Sequence, residues 1–480
     1  MSTSLADGRR VGERASEARA IVGDGVRPLG MASLAIRGLV VGGALAYVLL
    51  LHWSYASVVA PLYTYYGTSY NPAPDGSLDL ALLLCVVPAL WLPIAVSRPS
   101  QVILWVLYLL AYVPSVLVPL YVLGTGFDGV FPLTSMIVVS FVLLSIMQKL
   151  PTGPIPSPVK SMRNFENAAL LLAVGLGAYI VLAFGISFDV PDPSSVYDVR
   201  TAYKEALAGS SLPLVAYVVA WSGNAVNPLL MLMGLRSRRM VLLVTGSALE
   251  LLVYNTTGFK SALYTIVLVI PLLVLLAPRW RRVFGIGIAL LGALLIPSAL
   301  IWDQATGSLF ATDLVLHRLI MLPGQLVADY YQFFSQNLTY GLRHSVLSFL
   351  GPAPYDLGPP NLIGMVYFGN PITSANANIW GDAFANFGLL GIPLFTIVLG
   401  LFLVALDKAG QGRDLRVTGT LAGVMAIQLC DSGLLTTIAN LGLGLATLLI
   451  LFLPQGIETR GQVQPSADSR HRVAPGRLMA

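Results

Sequence analysis

The chain has 480 residues, 56% of them hydrophobic and only 11% charged, with a mean hydropathy of +0.77. A soluble domain carries about 25% charged residues, so this composition excludes an ordinary water-soluble globule. The net charge of +5 does not point to nucleic acid, because the cations cluster in short segments between apolar runs.

The apolar runs are long and continuous rather than alternating, which predicts an all-α polytopic bundle and not a barrel. Residues 1–35 are polar and basic, with Arg9, Arg10, Arg14, Arg19 and Arg27, and read as a flexible cytoplasmic tail. The run Leu39–Val59 is too long for a signal-peptide core and reads as a retained span. Further runs follow at 78–97, 102–123, 131–148, 167–187, 211–234, 240–257, 261–278 and 283–302. After a long polar stretch the last three fall at 389–406, 417–434 and 438–454. The expected organisation is nine spans over 36–302, a loop over 303–388 with interfacial helices, three spans over 389–455, and a flexible tail over 456–480. The total is about twelve, each near the ~20 residues a bilayer requires.

Cations at alternate connections test this count. Arg98, the Lys149/Lys160/Arg163 group, the Arg236/Arg238/Arg239 group, the Arg279/Arg281/Arg282 group and the Lys408/Arg413/Arg416 group all fall on the side of the N-terminus. Both termini are therefore expected in the cytoplasm. The opposite face carries few cations: Arg200, Lys204, Lys260, Arg318 and Arg343. They break the rule that arranges the others, so topology does not account for them.

In chain order, Ser195–Glu205 reads as a short interfacial helix after a Pro-rich stretch, with Asp198/Arg200 or Lys204/Glu205 as a solvated pair or part of a site. Gly258-Phe259-Lys260-Ser261 is a tight turn whose lysine either snorkels or holds a cavity mouth. Glu250 and Asn255 lie on the preceding span, where a carboxylate is expected to be paired or to face a cavity. Asp313–Asn337 reads as two helical pieces broken at Pro323-Gly324, lying at the interface or packed on the bundle. Arg318 within it calls for an anionic partner, which phosphate or a lipid headgroup would satisfy. In Asn376–Gly388, a helix would place Asn378, Asp382 and Asn386 on one stripe and Trp380, Phe384 and Phe387 on another. The polar stripe suits sugar hydroxyls or plain hydration.

Several chemistries lack their signatures. Cys85 and Cys430 both lie in apolar runs, and His52, His317, His344 and His471 are scattered without zinc spacing. No Asp-x-Asp pair and no phosphate-cradling Gly-Lys-Ser/Thr motif occurs.

Tyr197-Asp198-Val199-Arg200, the Gly258–Ser261 turn, His317-Arg318 through Pro323 to Asp329–Phe334, Ser374–Asn378 and Asp382–Gly391 occur in that order. This series resembles the Wzy-type O-antigen and oligosaccharide repeat-unit polymerases, over about Tyr197–Ile392 by motif and over the whole chain by topology. The resemblance implies a GT-C-like fold in the bacterial inner membrane, a large periplasmic loop and no metal or other cofactor. It also implies transfer of a growing glycan from a polyprenyl pyrophosphate carrier onto a carrier-linked repeat unit. Partners would be that lipid-linked oligosaccharide, membrane lipid and a chain-length regulator protein. Arg200 and Arg318 fit the family's periplasmic arginines, and Lys260 stands where many members carry an arginine. Arg343, Asn376, Asn378, Asn386, Tyr197, Tyr330 and Tyr331 complete the expected substrate-binding set.

Such a transfer needs cations for the leaving pyrophosphate and a base for the acceptor hydroxyl. The candidate bases are Asp382, His344, His317 and Asp198, with His344 and Asp382 favoured because both lie in the long loop. An O-antigen ligase would use the same donor with another acceptor. A flippase or transporter would instead show internal repeats and discontinuous helices near mid-membrane, whereas the halves show no obvious repeat and the polar groups gather at one surface.

Overall fold

The computed structural model describes residues 31–186 and 196–456; most of both basic tails and the Pro191–Pro193 stretch lie outside the described residues. Among the described residues every regular element is helical. In chain order these are α1 (Leu34–Leu62), α2 (Ser77–Leu90), α3 (Pro99–Leu123), α4 (Phe131–Met147) and α5 (Met162–Phe184). Next come α6 (Val196–Gly209), α7 (Val215–Ser237), α8 (Met240–Thr257), α9 (Lys260–Leu275) and α10 (Arg281–Thr306). The remainder are α11 (Thr312–Met321), α12 (Leu322–Phe334), α13 (Pro359–Phe368), α14 (Ile379–Gly410), α15 (Leu415–Cys430), α16 (Leu434–Ala439) and α17 (Leu443–Phe452).

Seven of the described helices, α1, α3, α5, α7, α8, α10 and α14, are long and apolar enough to cross a bilayer. Shorter apolar helices occupy several of the other expected runs, and the reasons are local. The 78–97 run tightens into a 3₁₀ turn at Val87–Leu90, where Pro88 cannot continue the α-helical ladder. The 417–434 run is cut at Asp431. The 438–454 run is cut before Gly442, whose φ of +101° suits only glycine.

Helix α3 is the central post. Its most apolar window is 100% buried, as a helix apolar on all sides requires. Its first half packs on α15 and its second half on α12. Midway, Tyr108–Tyr112 form a π turn, which loosens the regular hydrogen-bond ladder. The hydroxyl of Tyr47 donates to the Leu109 carbonyl at 2.5 Å, so a polar group inside this turn is satisfied from a neighbouring helix.

Two ends of the bundle differ in chemistry. At one end, Asp407 accepts from the Ser100 backbone N–H (3.0 Å) and hydroxyl (2.7 Å) and so caps α3. Buried Arg413 donates to the carbonyls of Leu453 and Ile155, Arg236 pairs with Asp414, and Arg239 pairs with Glu166. These contacts collect the basic connections on one side. The other end holds α6, α11, α13 and the turns after α8 and α15.

The segment between α10 and α14 packs into the bundle. The Asp303 carboxylate accepts from the backbone N–H groups of Ala311 (2.8 Å) and Thr312 (2.6 Å), which reverses the chain and starts α11. Helix α12 then lies along α3 and α14. Pro323 sits in its first turn, where a missing N–H does no harm, so Pro323-Gly324 begins this helix rather than breaking it. Gly324 is there for packing: a β-carbon would strike the Pro114 carbonyl.

Candidate active site

Helix α11 is a π-helix and carries Asp313, His317 and Arg318. Arg318 Nε donates to both Asp313 oxygens (2.9 and 3.1 Å), and Nη2 donates to the Tyr66 hydroxyl at 3.3 Å. The bifurcated Nε contact and the Nη2 bond together orient the guanidinium. His317 is only 1% exposed, stacked on Tyr63 with ring centroids 3.9 Å apart, and its Nδ1 lies 3.3 Å from Asp313. It is thus a buried support for Asp313, not an accessible base.

Helix α6 reaches this end from another direction. Arg200 Nε donates to the carbonyl of Gly258 at 3.1 Å, which joins α6 to the turn that Lys260 closes. Gly258 ends α8 at φ +63°, the left-handed cap that lets the chain turn sharply. Lys204 Nζ donates to the Ile372 carbonyl (2.6 Å) and to Ser374 (3.4 Å), tying α6 to the strap before α14. Burial and the neighbouring Arg200 charge both lower the Lys204 pKa. Asp198 is exposed on α6 and joins none of these contacts. The side chains of Tyr197 and Lys260 lie outside the described residues.

The charges of the two arginines both bear on a residue the sequence reading missed. Asp431, in the turn after α15, is exposed, yet neighbouring protein takes part of the hydration from its carboxyl group. Loss of hydration raises its carboxyl pKa to about 7, against the pull of Arg200 and Arg318. Both guanidinium charges therefore act on one carboxylate, although they lie 118 positions apart in the chain. Asp431 was hidden because the apolar run around it reads as a single span. The one available signal was a carboxylate followed by Ser432-Gly433 inside that run.

Beside this turn is a cavity of about 170 Å³, lined by Tyr330, His344, Asn376, Asp382, Ser432 and Thr436 among others. Asp382 rests directly against Gly433, where any β-carbon would collide with its carboxylate. A break in α14 builds the opposite wall. Gly388 takes φ +61° and interrupts the helix just after Asn386. The Ala385 and Asn386 carbonyls then accept from the N–H groups of Tyr340 and Gly341, both at 2.9 Å. Asn386 Oδ1 accepts from Leu342 N–H at 3.0 Å, and its Nδ2 donates to the Asp382 carbonyl at 2.9 Å. These bonds fix the turn that presents Arg343 and His344. His344 lies edge-on to Tyr340, and partial burial lowers its imidazole pKa, so the neutral ring dominates near pH 7.

The expected polar stripe is therefore divided. Asp382 lines the cavity, but Asn378 and Asn386 are fully buried and structural. Asn378 is the N-cap of α14, accepting from Trp380 N (3.1 Å) and Gly381 N (3.2 Å) while donating to Ser115 (2.8 Å). Tyr330 donates to the Ala375 carbonyl at the cavity wall, and Tyr331 donates away from it to Gly129. Arg343 Nε bonds the Tyr340 carbonyl at 3.2 Å. Glu250 is buried and paired with Asn227 (3.2 Å), as expected of an intramembrane carboxyl group. Among the described residues no three His, Cys, Asp or Glu side chains gather as a metal site.

The site thus combines two arginines, a carboxyl group that titrates near neutrality, and a small cavity with a histidine and a second carboxylate. Comparison with protein-family models, curated proteins and solved structures gives no significant match to this chain.

Proposed function

We propose that this protein is a membrane glycosyltransferase that polymerises polyprenyl-pyrophosphate-linked oligosaccharide repeat units. In this reading it crosses a bacterial inner membrane about twelve times in a GT-C-like arrangement, with both termini cytoplasmic and the arginine-bearing end periplasmic. Arg200 and Arg318, together with Lys260, stabilise the charge that develops on the pyrophosphate as the sugar departs. The cavity holds the acceptor sugar. Asp382 or His344 takes the proton from its hydroxyl, whose oxygen attacks the anomeric carbon as the carbon–oxygen bond to pyrophosphate breaks.

The supporting observation is the convergence of the Arg200 and Arg318 charges on Asp431, next to a cavity that carries His344 and Asp382. Both arginines stood out in the sequence as cations off the topological charge rule, and the resemblance then singled them out. The test is reconstitution in vesicles with carrier-linked repeat units as sole substrate. Wild-type protein should make multimers, while Arg200→Ala and Arg318→Ala should insert normally and make none. Normal glycan lengthening by both variants would overturn the reading. A reaction that starts only when another acceptor is added would identify a ligase, and carrier movement without bond formation a flippase.

A further inference from the structure

A second cavity lies at the basic end, away from the site described above. It has a volume of about 620 Å³, within the range that holds small-molecule ligands. One wall is the first turns of α5, with Phe165, Ala168, Ala169 and Leu172, and the other is the end of α17, with Leu449 and Phe452. Pro158, Val159, Lys160 and Ser161 close its polar end. Because α5 is long enough to cross the membrane and starts at Met162, this polar end lies at headgroup level and the apolar walls lead toward the hydrocarbon.

The groove is already formed. The strap before α5 carries Pro151, Pro154, Pro156 and Pro158 and is held at several points. Ile155 N–H donates to the Lys408 carbonyl (3.3 Å), Arg413 donates to the Ile155 carbonyl (3.2 Å), and the Ser157 hydroxyl donates to the Phe452 carbonyl (3.0 Å). The cation at the mouth is uncompensated. Lys160, which lines it, is exposed and forms no ion pair or side-chain hydrogen bond among the described residues. By contrast, Arg236 and Arg239 nearby are paired with Asp414 and Glu166. The N-terminal end of α5 adds partial positive charge at the same place.

We propose that this groove binds one anionic phospholipid, with its phosphate at Lys160 and the first turn of α5 and an acyl chain along Ala168, Leu172 and Leu449. An unpaired cationic rim over an apolar trough matches a ligand with an anionic head and an apolar tail, which neither free phosphate nor a zwitterionic lipid reproduces. The groove and the proposed active site sit at opposite ends, so the inference does not depend on the glycosyltransferase reading.

The experiment titrates detergent-purified full-length protein with phosphatidylglycerol, with phosphatidylcholine of identical chains, and with inorganic phosphate, and follows the thermal unfolding midpoint. Phosphatidylglycerol alone should raise it. Lys160→Glu, at an exposed position, should weaken that response at least about fivefold, the contribution of one cation near a headgroup. Ala168→Trp, which fills the trough and spares the charge, should weaken it as well. An equal response to phosphatidylcholine or to phosphate, or an unchanged response in both variants, would overturn the proposal.

Discussion

Asn386→Ala tests how the break in α14 supports the site. Wild-type Asn386 is fully buried and makes two short hydrogen bonds, accepting from Leu342 N–H and donating to the Asp382 carbonyl. Removing the amide leaves the Leu342 N–H without its acceptor, a loss of about 1–2 kcal/mol for a partly buried donor. The second bond contributes about 1 kcal/mol more, so the expected destabilisation is about 2–3 kcal/mol. The effect should be local as well. Leu342 and Gly341 both hold left-handed backbone at φ +58°, and this conformation is costly for leucine unless surrounding bonds enforce it. Without Asn386 the turn relaxes and His344 loses its place beside Asp382. The assay is SDS-driven unfolding of the purified protein, paired with the rate at which a histidine-specific acylating reagent modifies His344. Asn376→Ala is the control: this half-buried cavity-lining residue should change stability by less than about 0.5 kcal/mol. If Asn386→Ala unfolds with the control and His344 reacts at the wild-type rate, the capping argument is wrong.

Other predictions concern the site's charges and its closest packing. Asp431 titrates near pH 7 and, when ionised, competes with any bound anion for Arg200 and Arg318. Affinity for a permanently charged anion such as an alkyl sulfonate should therefore fall as pH rises through about 7, and Asp431→Asn should flatten that profile. The same carboxyl group holds its proton more tightly folded than unfolded, so its contribution to stability declines as pH climbs from its ordinary 3.8 toward 7. Gly433→Ala should displace the Asp382 carboxylate and abolish the proposed glycan transfer with little loss of folded protein, measured as activity against melting midpoint. Gly324→Val, by contrast, should destabilise the whole bundle by about 2 kcal/mol or more, because α12 cannot move away from the Pro114 carbonyl without losing its contacts with α3. A wild-type melting midpoint for Gly324→Val would refute that packing.

Legibility from sequence followed the physics of each signal. Helical class was plain from uninterrupted apolar runs, and the Arg98, Arg236, Arg239 and Arg413 segments do meet at one end through Asp407, Asp414, Glu166 and helix-end carbonyls. Span length was less legible, because Pro88 and Gly442 shorten helices inside runs whose average hydropathy hides them. At the site, Arg200 and Arg318 stood out as cations on the wrong face. Asp382 and His344 stood out as polar groups in a long connection, and the cavity holds both. Asn378 and Asn386 looked equally functional, since a side chain that caps a backbone is indistinguishable by type from one that contacts a sugar. Asp431 was missed for the opposite reason: a single carboxylate barely lowers the hydropathy of an eighteen-residue window. The supporting rings of Tyr63 and Tyr66 had no signal at all, because their value comes from contacts 250 residues away.

The π turn in α3 makes the chain tolerant of a change in length at one place. Such a turn is equivalent to one residue inserted into an α-helix and absorbed where it stands. Each residue of a regular α-helix is worth about 100° of rotation, so a deletion within Pro99–Leu107 would turn everything from Val113 to Leu123 by that angle. The Pro114 face that receives Gly324, and the Ser115 hydroxyl that meets Asn378, would then point at other neighbours. Deleting one residue within Tyr108–Tyr112 would instead remove the wide turn, restore a regular ladder and leave both contacts facing much as before. The seat of α12 and the cap of α14 are thereby insulated from a one-residue change at the π turn and exposed to the same change a few residues earlier.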